Sequence, residues 1–95
     1  MTRPPVLSAD ELQLRLQSLP TWELVDGQLQ RTFTFTDFAE AFAFMTQVAA
    51  VAEELDHHPN WSNAWNRVDI GITSHDAGGI TELCVELARR IDALA

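Results

Sequence analysis

The chain has 95 residues, of which 46% are hydrophobic, and a formal net charge of −8. A chain of this length forms one small domain with a limited core, and it contains no apolar run near the ~20 residues that a membrane span needs. Its acidic field repels a phosphate backbone, so we do not expect direct nucleic-acid binding.

The residue types narrow the chemistry further. The chain has one cysteine and no tyrosine, and all 6 of its basic residues are arginines. A single thiol cannot form an intrachain disulfide, and without lysine neither Schiff-base chemistry nor a P-loop lysine is available. The N-terminus, Met-Thr-Arg-Pro-Pro, carries no apolar stretch of the kind found in secretory signals. These features favour a cytoplasmic protein.

A helix and a hairpin are the first predicted elements, and they follow a flexible tail at residues 1–7. Ser8-Ala9-Asp10-Glu11 has the form of a capping box, and the helix that it begins ends at Pro20. Residues 21–35 predict a hairpin around Asp26-Gly27, a pair of residues typical of two-residue β-turns.

A second helix is predicted from about Asp37 to about Leu55. Its apolar side chains form two adjacent stripes, one with Phe38, Phe42, Met45, Ala49 and Ala52 and the other with Phe44, Val48, Val51 and Leu55. Together they cover roughly half of the circumference, which is more than one sheet face usually covers. Either this helix is deeply buried, or part of the arc faces another subunit.

The second half of the chain predicts another hairpin and a third helix. Strands are predicted from Trp61 to Trp65 and from Val68 to about His75, with a turn at Asn66-Arg67. In the second strand Val68, Ile70, Ile72 and Ser74 share one face, and Asp69, Gly71, Thr73 and His75 share the other. A turn at Ala77-Gly78-Gly79 leads to Thr81, which can cap the last helix. The buried stripe of that helix is predicted to contain Cys84, Leu87, Ala88, Ile91, Leu94 and Ala95.

These elements predict an α+β fold. Their order is α-β-β-α-β-β-α, and no repeat or linker divides residues 8–95. Four strands joined in this way form an antiparallel sheet with the helices packed on one face.

The three histidines are the candidates for chemistry. His57 and His58 belong to the run Asp56-His57-His58-Pro59, where Pro59 ends the preceding helix because it disfavours the α conformation at His58. His75 closes a predicted strand beside a Gly-Gly turn, a position from which side chains tend to reach binding sites.

The residues alone leave three interpretations open. Zinc binding is disfavoured because adjacent residues of an extended segment point in opposite directions, so His57 and His58 do not readily chelate one ion. Acid/base catalysis is compatible with imidazoles, which titrate near neutral pH. The interpretation that composition and spacing favour is that the histidines cap the helix and hydrogen-bond one another.

A resemblance to a known family changes this balance. The segments that carry it are Phe35-Thr36-Asp37-Phe38, Ala41-Phe42-x-Phe44-Met45, Ala52-Glu53-x-Leu55-Asp56-His57-His58-Pro59-x-Trp61, Trp65-Asn66-x-Val68, Thr73-Ser74-His75 and Gly79-Ile80-Thr81. They resemble the pterin-4a-carbinolamine dehydratases, also known as dimerisation cofactors of a homeodomain transcription factor. The resemblance covers about residues 8–95 and implies the same order of elements.

The resemblance implies dehydration of a 4a-hydroxytetrahydropterin to quinonoid dihydropterin in pterin recycling, with no cofactor and no metal. An acid protonates the 4a-hydroxyl, which leaves as water, and a base takes the proton from N5. The catalytic positions of the family match His57, His58 and His75. The implied substrate-binding group is Asp56, Pro59, Trp61, Thr73, Ser74 and Asp76, although Trp61 is as readily a buried strand anchor. A homodimer or a homotetramer is also implied.

One position departs from the family pattern. Family members usually carry an aspartate where Cys84 stands, three residues after Thr81. If that aspartate completes a capping box, its loss costs about 1 kcal/mol of helix stability; if it supports a catalytic histidine, activity falls. We favour the capping account. The departure keeps open a second function with precedent in the family, that of a non-catalytic binding or assembly factor.

Overall fold

One antiparallel sheet with three helices on one face makes up residues 4–95, the part of the chain that the computed structural model describes. The elements are α1 (Ala9–Leu16), β1 (Glu23–Val25), β2 (Gln28–Thr34), α2 (Phe38–Leu55), β3 (Asn60–Ala64), β4 (Arg67–Ile72) and α3 (Glu82–Leu94). The strands lie in the order β1-β2-β4-β3, and every neighbouring pair is antiparallel. The predicted α-β-β-α-β-β-α order is confirmed.

The segment before α1 is hydrogen-bonded to the segment before α3. Residues 1–3 of the predicted tail lie outside the described residues. In the remainder, the Leu7 N–H donates to the Ile80 carbonyl at 2.9 Å, and Val6 pairs with Thr81 in an isolated β-bridge. Ser8 then caps α1, where both halves of the predicted capping box are present.

Both hairpins turn through two residues. Asp26-Gly27 connects β1 to β2 as predicted, and both residues have positive φ. Between β3 and β4 the predicted turn at Asn66-Arg67 is wrong by one position. Ala64 pairs with Arg67, so the two turn residues are Trp65-Asn66. Strand register, rather than the preference of Asn for turns, decides which residues lie between the strands.

β4 is shorter than predicted. It ends at Ile72, which pairs with Leu29, instead of continuing to about His75. β2 extends only one residue beyond this pair, to Gln28 at the turn from β1. The Ser74 N–H instead donates to the Gly79 carbonyl at 3.0 Å. His75 therefore lies in a short loop and not in a strand.

The alternation predicted for β4 is confirmed, and β2 contributes to the same buried face. The helix-facing side of the sheet carries Leu29 and Phe33 from β2 and Val68, Ile70 and Ile72 from β4, and each of them is at most 4% exposed. Burial of such side chains in one contiguous cluster is the main favourable term in the stability of a small domain.

α2 packs against the rest of the domain mainly through one of its two apolar stripes. Phe44, Val48 and Val51 are buried. In the other stripe Phe38 and Phe42 are 46% and 55% exposed. The interpretation of α2 as a helix buried around its whole apolar arc is therefore wrong.

α3 buries the predicted stripe with three corrections. Its buried members are Cys84, Val85, Leu87, Ala88 and Ile91, of which Val85 was not predicted. Leu94 is only half-buried, and Ala95, which follows the last residue of the helix, is exposed. No helix within residues 4–95 is long and apolar enough to cross a membrane.

Asp92, near the end of α3, joins that helix to the first hairpin. Its Oδ1 accepts a hydrogen bond from Trp22 Nε1 at 2.8 Å and another from Arg31 Nη1 at 2.5 Å. The Arg31 guanidinium also lies 4.2 Å from the centroid of the Phe33 ring. Because Trp22 is buried, its indole N–H depends on this carboxylate for a partner.

Replacement of Asp92 by alanine is expected to lower the free energy of unfolding by about 1–3 kcal/mol, since it leaves a buried indole N–H and a partly buried guanidinium without their acceptor. Asp92→Asn keeps an acceptor for Trp22 and loses the ion pair, so we expect a smaller loss. Urea denaturation of the three proteins measures both effects. Equal stability of Asp92→Ala and wild type would contradict this account.

Candidate active site

The end of α2 places His57 and His58 in different environments. Asp56 follows the helix in the left-handed conformation, with φ 50° and ψ 45°, which aspartate tolerates better than most residues. The His57 N–H donates back to the Ala52 carbonyl at 3.0 Å. After this reversal of the chain His57 is 8% exposed, whereas His58 is exposed.

The three histidines line a single cleft of about 280 Å³, which we call the histidine cleft. Its lining residues are Asp56, His57, His58, Thr73, Ser74, His75 and Asp76. The cleft thus combines the end of α2 with the loop that follows β4. All of these residues belong to the set that the resemblance implied.

Two residues of that set do not line the histidine cleft. Trp61 lies on β3, half-buried, and packs against the hydrophobic core, as expected of a strand anchor. Pro59 is also half-buried and precedes β3. Pro59 and Trp61 therefore shape the segment that connects α2 to the sheet.

Each exposed histidine has a polar neighbour among the residues that the structure describes. His58 Nε2 lies 3.3 Å from Glu53 Oε1, and His75 Nε2 lies 3.4 Å from Asn60 Nδ2. The amide of Asn60 donates in that contact, so Nε2 of His75 is the acceptor. Asn60 was not predicted as a site residue. The sequence feature that could have indicated it is its position directly after Pro59, at the start of β3.

A buried polar network lies beneath His57. The Cys84 Sγ is 3.3 Å from His57 Nε2 and 3.3 Å from Ser74 Oγ, and it accepts a hydrogen bond from the Thr81 backbone N–H at 3.4 Å. Ser74 Oγ and Thr81 Oγ1 are 2.9 Å apart. Capping of the last helix and contact with a histidine were alternative roles for position 84. Cys84 makes both contacts, one with the N-terminus of α3 and one with a histidine of the cleft.

The network changes the acidity of the thiol. Burial raises the pKa of Cys84, but hydrogen bonds with His57, Ser74 and Thr81 outweigh burial, so that the pKa lies below its usual value. The thiolate is therefore easier to form in the folded protein than in the unfolded chain.

Wild type is expected to gain stability relative to Cys84→Ser as the pH rises. A thiol pKa that folding lowers contributes nothing at pH values below the folded pKa, and contributes fully above the pKa of the unfolded chain. Urea denaturation of both proteins from about pH 6 to about pH 10 measures this difference. Any constant effect of the serine cancels in the slope. A difference that stays flat or falls with pH would contradict the lowered pKa.

No metal site is evident in the part of the chain that the structure describes. Within residues 4–95 no three side chains of histidine, cysteine, aspartate or glutamate are grouped so that they can hold a metal ion. The groups in and under the histidine cleft are imidazoles, carboxylates, hydroxyls and one thiol, all of which can exchange or accept protons.

Residues 5–94 match the sequence profile of pterin 4 alpha carbinolamine dehydratases. The chain belongs to this family. A relative from Synechococcus sp. (strain WH7803), provisionally named pterin-4-alpha-carbinolamine dehydratase, is 53% identical over 89 residues, which are 94% of this chain and 96% of the relative. A relative of the same provisional name from Rhizorhabdus wittichii is 54% identical over 91 residues, 94% of each chain.

Two solved structures that are similar to this chain carry different descriptions. A transcriptional coactivator/pterin dehydratase from Brucella melitensis superimposes with a TM-score of 0.90 and 46% identity, covering 95% of this chain and 98% of that one. A pterin dehydratase-like protein identified as a RuBisCO assembly factor in the α-carboxysome gives a TM-score of 0.64 and 31% identity, covering 78% and 86%.

Proposed function

We propose that this family member dehydrates a 4a-hydroxytetrahydropterin to quinonoid dihydropterin and water. The observation that carries the proposal is the histidine cleft, in which one buried and two exposed imidazoles line the same small space. Imidazoles of both kinds suit a reaction that needs a proton donor and a proton acceptor at neutral pH.

The reaction consists of two proton transfers around one bond cleavage. An imidazolium or imidazole N–H gives a proton to the 4a-hydroxyl, and the C4a–O bond breaks with its electron pair leaving in water. A second imidazole takes the proton from N5, and the electrons of the N5–H bond form the C4a=N5 double bond. The two steps balance without an oxidant, a reductant or a Lewis acid, so the proposal requires neither a cofactor nor a metal.

The different exposure of the three histidines supports a division of labour. His57 is held by a buried contact and keeps a fixed position. His58 and His75 are exposed, so water can return their protons between turnovers. Fixed geometry favours transfer to the leaving hydroxyl, and access to water favours the residue that must release the N5 proton.

The remaining residues of the histidine cleft suit a flat, polar heterocycle. Asp56 and Asp76 contribute carboxylates to the lining, and Thr73 contributes a hydroxyl. The Ser74 hydroxyl is already bonded to Thr81 and Cys84, so we assign Ser74 to supporting the network. Carboxylates and hydroxyls accept hydrogen bonds from the N–H groups of an aminopyrimidinone ring.

Generation of a 4a-hydroxytetrahydropterin in situ, in the presence of the full chain, tests the proposal. Formation of quinonoid dihydropterin followed by absorbance is expected to be faster than in buffer and proportional to protein concentration. A rate that equals that of buffer would exclude the dehydratase function. An albumin control at the same concentration removes general protein effects.

A binding or assembly role is the second candidate, and exposed aromatic residues favour it. The rings of Phe38 and Phe42 lie 5.6 Å apart on the surface of α2. They are at the opposite end of that helix from the histidine cleft, and its 18 residues span about 27 Å. Exposed apolar pairs of this kind often mark contacts with another chain.

We include in the main proposal that the enzyme is a homodimer or a homotetramer and that it acts in the cytoplasm.

The binding role predicts a stable partner that remains bound to His57→Ala and is lost from Phe38→Ala/Phe42→Ala. The enzymatic role predicts that turnover is lost in His57→Ala and retained in Phe38→Ala/Phe42→Ala. The relative identified as a RuBisCO assembly factor shows that a protein of related fold can serve in assembly.

A further inference from the structure

The thiol of Cys84 contacts one ring nitrogen of His57, and the reaction described above assigns no role to it. We infer that Cys84 is a positioning residue that occupies Nε2 of His57 and keeps a hydrogen on Nδ1, which makes His57 the proton donor of the histidine cleft. The consequence for turnover rests on the proposed function, whereas the state of the His57 ring is a property of the folded protein alone.

The hydrogens around the sulfur can be assigned from the distances. The Thr81 backbone N–H donates to Sγ at 3.4 Å. Ser74 Oγ and Thr81 Oγ1 are 2.9 Å apart and share one hydroxyl hydrogen. The other hydroxyl hydrogen is directed to Sγ, most directly from Ser74 at 3.3 Å. The sulfur thus accepts two hydrogen bonds.

The hydrogen of the thiol itself then has one good acceptor. His57 Nε2 lies 3.3 Å from Sγ, whereas Thr81 Oγ1 is 3.7 Å away, and imidazole nitrogen is a more basic acceptor than a hydroxyl. A hydrogen therefore lies between Sγ and Nε2. In the neutral pair Nε2 is the acceptor and Nδ1 carries the ring hydrogen; in the thiolate–imidazolium pair both nitrogens carry one. Nδ1 is protonated in both forms.

The contacts of the His57 ring place Nδ1 on the side of the histidine cleft. The two nitrogens of an imidazole point apart, so with Nε2 towards the buried thiol, Nδ1 points away from it. Every buried side-chain nitrogen or oxygen within residues 4–95 has a hydrogen-bond partner, and the partner of the His57 ring is Cys84. We therefore infer that Nδ1 lies at the exposed 8% of this residue, on the side that lines the histidine cleft.

Transfer of the Nδ1 hydrogen to a 4a-hydroxyl leads to a single product state from either form. From the neutral pair, the thiol hydrogen moves to Nε2 as the Nδ1 hydrogen leaves. From the ion pair, Nε2 already holds it. Both give a neutral imidazole with a hydrogen on Nε2 and a thiolate at Cys84, to which Thr81 and Ser74 donate. The proton that N5 loses restores the starting state through an exposed histidine and water.

The lowered pKa of Cys84 agrees with this role, since the relay ends on a thiolate. A cysteine that served only to cap α3 needs no contact with His57. The capping contact and the histidine contact can be separated by experiment, because only the second affects the state of the imidazole ring.

Nitrogen-15 NMR of the His57 ring in the wild-type full chain is the first test and requires no variant in the network. His57 is assigned by comparison with His58→Ala and His75→Ala. We expect the signals of a ring that is protonated at Nδ1 near neutral pH, and a shift towards the Nε2–H form in Cys84→Ala. A wild-type ring protonated only at Nε2 would overturn the inference, whether or not the protein is active.

Ultraviolet absorbance of the thiolate is the second test. The chain has one cysteine and no tyrosine, so the titration reports Cys84 without a phenolate background. We expect a midpoint below that of the same chain unfolded in urea, and a higher midpoint in folded His57→Gln. Identical midpoints in wild type and His57→Gln would show that His57 does not affect the ionisation of the Cys84 thiol, and the inference would be wrong.

Turnover is the third test. Cys84→Ala is expected to lower kcat by about 10- to 100-fold, a part of the usual contribution of a general acid, with KM nearly unchanged. Cys84→Ser retains a weaker donor and falls between. If both variants keep the wild-type kcat, Cys84 only caps α3. If wild type is inactive but its His57 ring carries the hydrogen on Nδ1, the proposed function is wrong and the inference that Cys84 positions His57 still holds.

Discussion

Replacement of His57 by alanine is expected to lower kcat for dehydration of a 4a-hydroxytetrahydropterin by about 10²–10⁴-fold, the usual contribution of a general acid or base. His57 is the buried imidazole of the histidine cleft, and no neighbouring imidazole has its contact with the thiol. The other two histidines are therefore poor substitutes for it. Initial rates at saturating substrate measure the effect.

Two further variants control for loss of structure. His75→Ala removes an imidazole from the histidine cleft, so we expect a large loss of kcat. Because this side chain is exposed, we expect the melting temperature to stay unchanged. Gln47→Ala alters an exposed residue of α2 outside the histidine cleft and is expected to keep full activity. Retention of more than a tenth of the wild-type kcat by His57→Ala would mean that another group protonates the leaving hydroxyl.

Replacement of Phe44 by alanine is expected to lower the free energy of unfolding by about 3–5 kcal/mol. The Phe44 ring is 5% exposed, and its centroid lies 4.8 Å from the centroids of both Phe33 and Phe35. Phe44 therefore packs α2 against Phe33 of β2 and against Phe35, which follows that strand. A loss of this size is a large part of the 5–15 kcal/mol that typically stabilises a small domain.

Phe42→Ala is the matched control for Phe44→Ala. It makes the same chemical change two residues away on the same helix, but Phe42 is 55% exposed. We expect a loss below about 1 kcal/mol, measured by urea denaturation of both variants. Equal losses would contradict the assignment of the buried stripe. A loss in Phe42→Ala that grows with protein concentration would instead place this ring in a contact between subunits.

Local patterns were sufficient to predict most of the secondary structure. Asp26-Gly27 specifies its turn, and Ser8 with Glu11 specifies the start of α1, because each signal depends on residues close in the chain. The alternation from Val68 to Ile72 likewise identifies the buried face of β4. The errors at the second turn and at the end of β4 lie where pairing with another strand sets the boundary. The first helix was also predicted too long, since α1 ends at Leu16 and not at Pro20.

The candidate site could be predicted in part. The positions of the three histidines made them candidates for chemistry, and the family resemblance implied that they are catalytic. The structure brings all three to one cleft. The resemblance also implied Trp61, which does not line the histidine cleft and packs against the core. Asn60 was not predicted, because its contact with His75 joins residues 15 positions apart and no local pattern signals it.

By itself, the sequence determined the elements, the buried faces of the strands and the two apolar stripes of α2. Only the tertiary structure decided which stripe packs, because that choice depends on where Phe33 and Phe35 meet the helix. It also decided the double role of Cys84, whose contact with His57 spans 27 positions. Periodicity and capping are encoded locally, whereas such contacts follow from strand register and helix packing, which no short segment specifies.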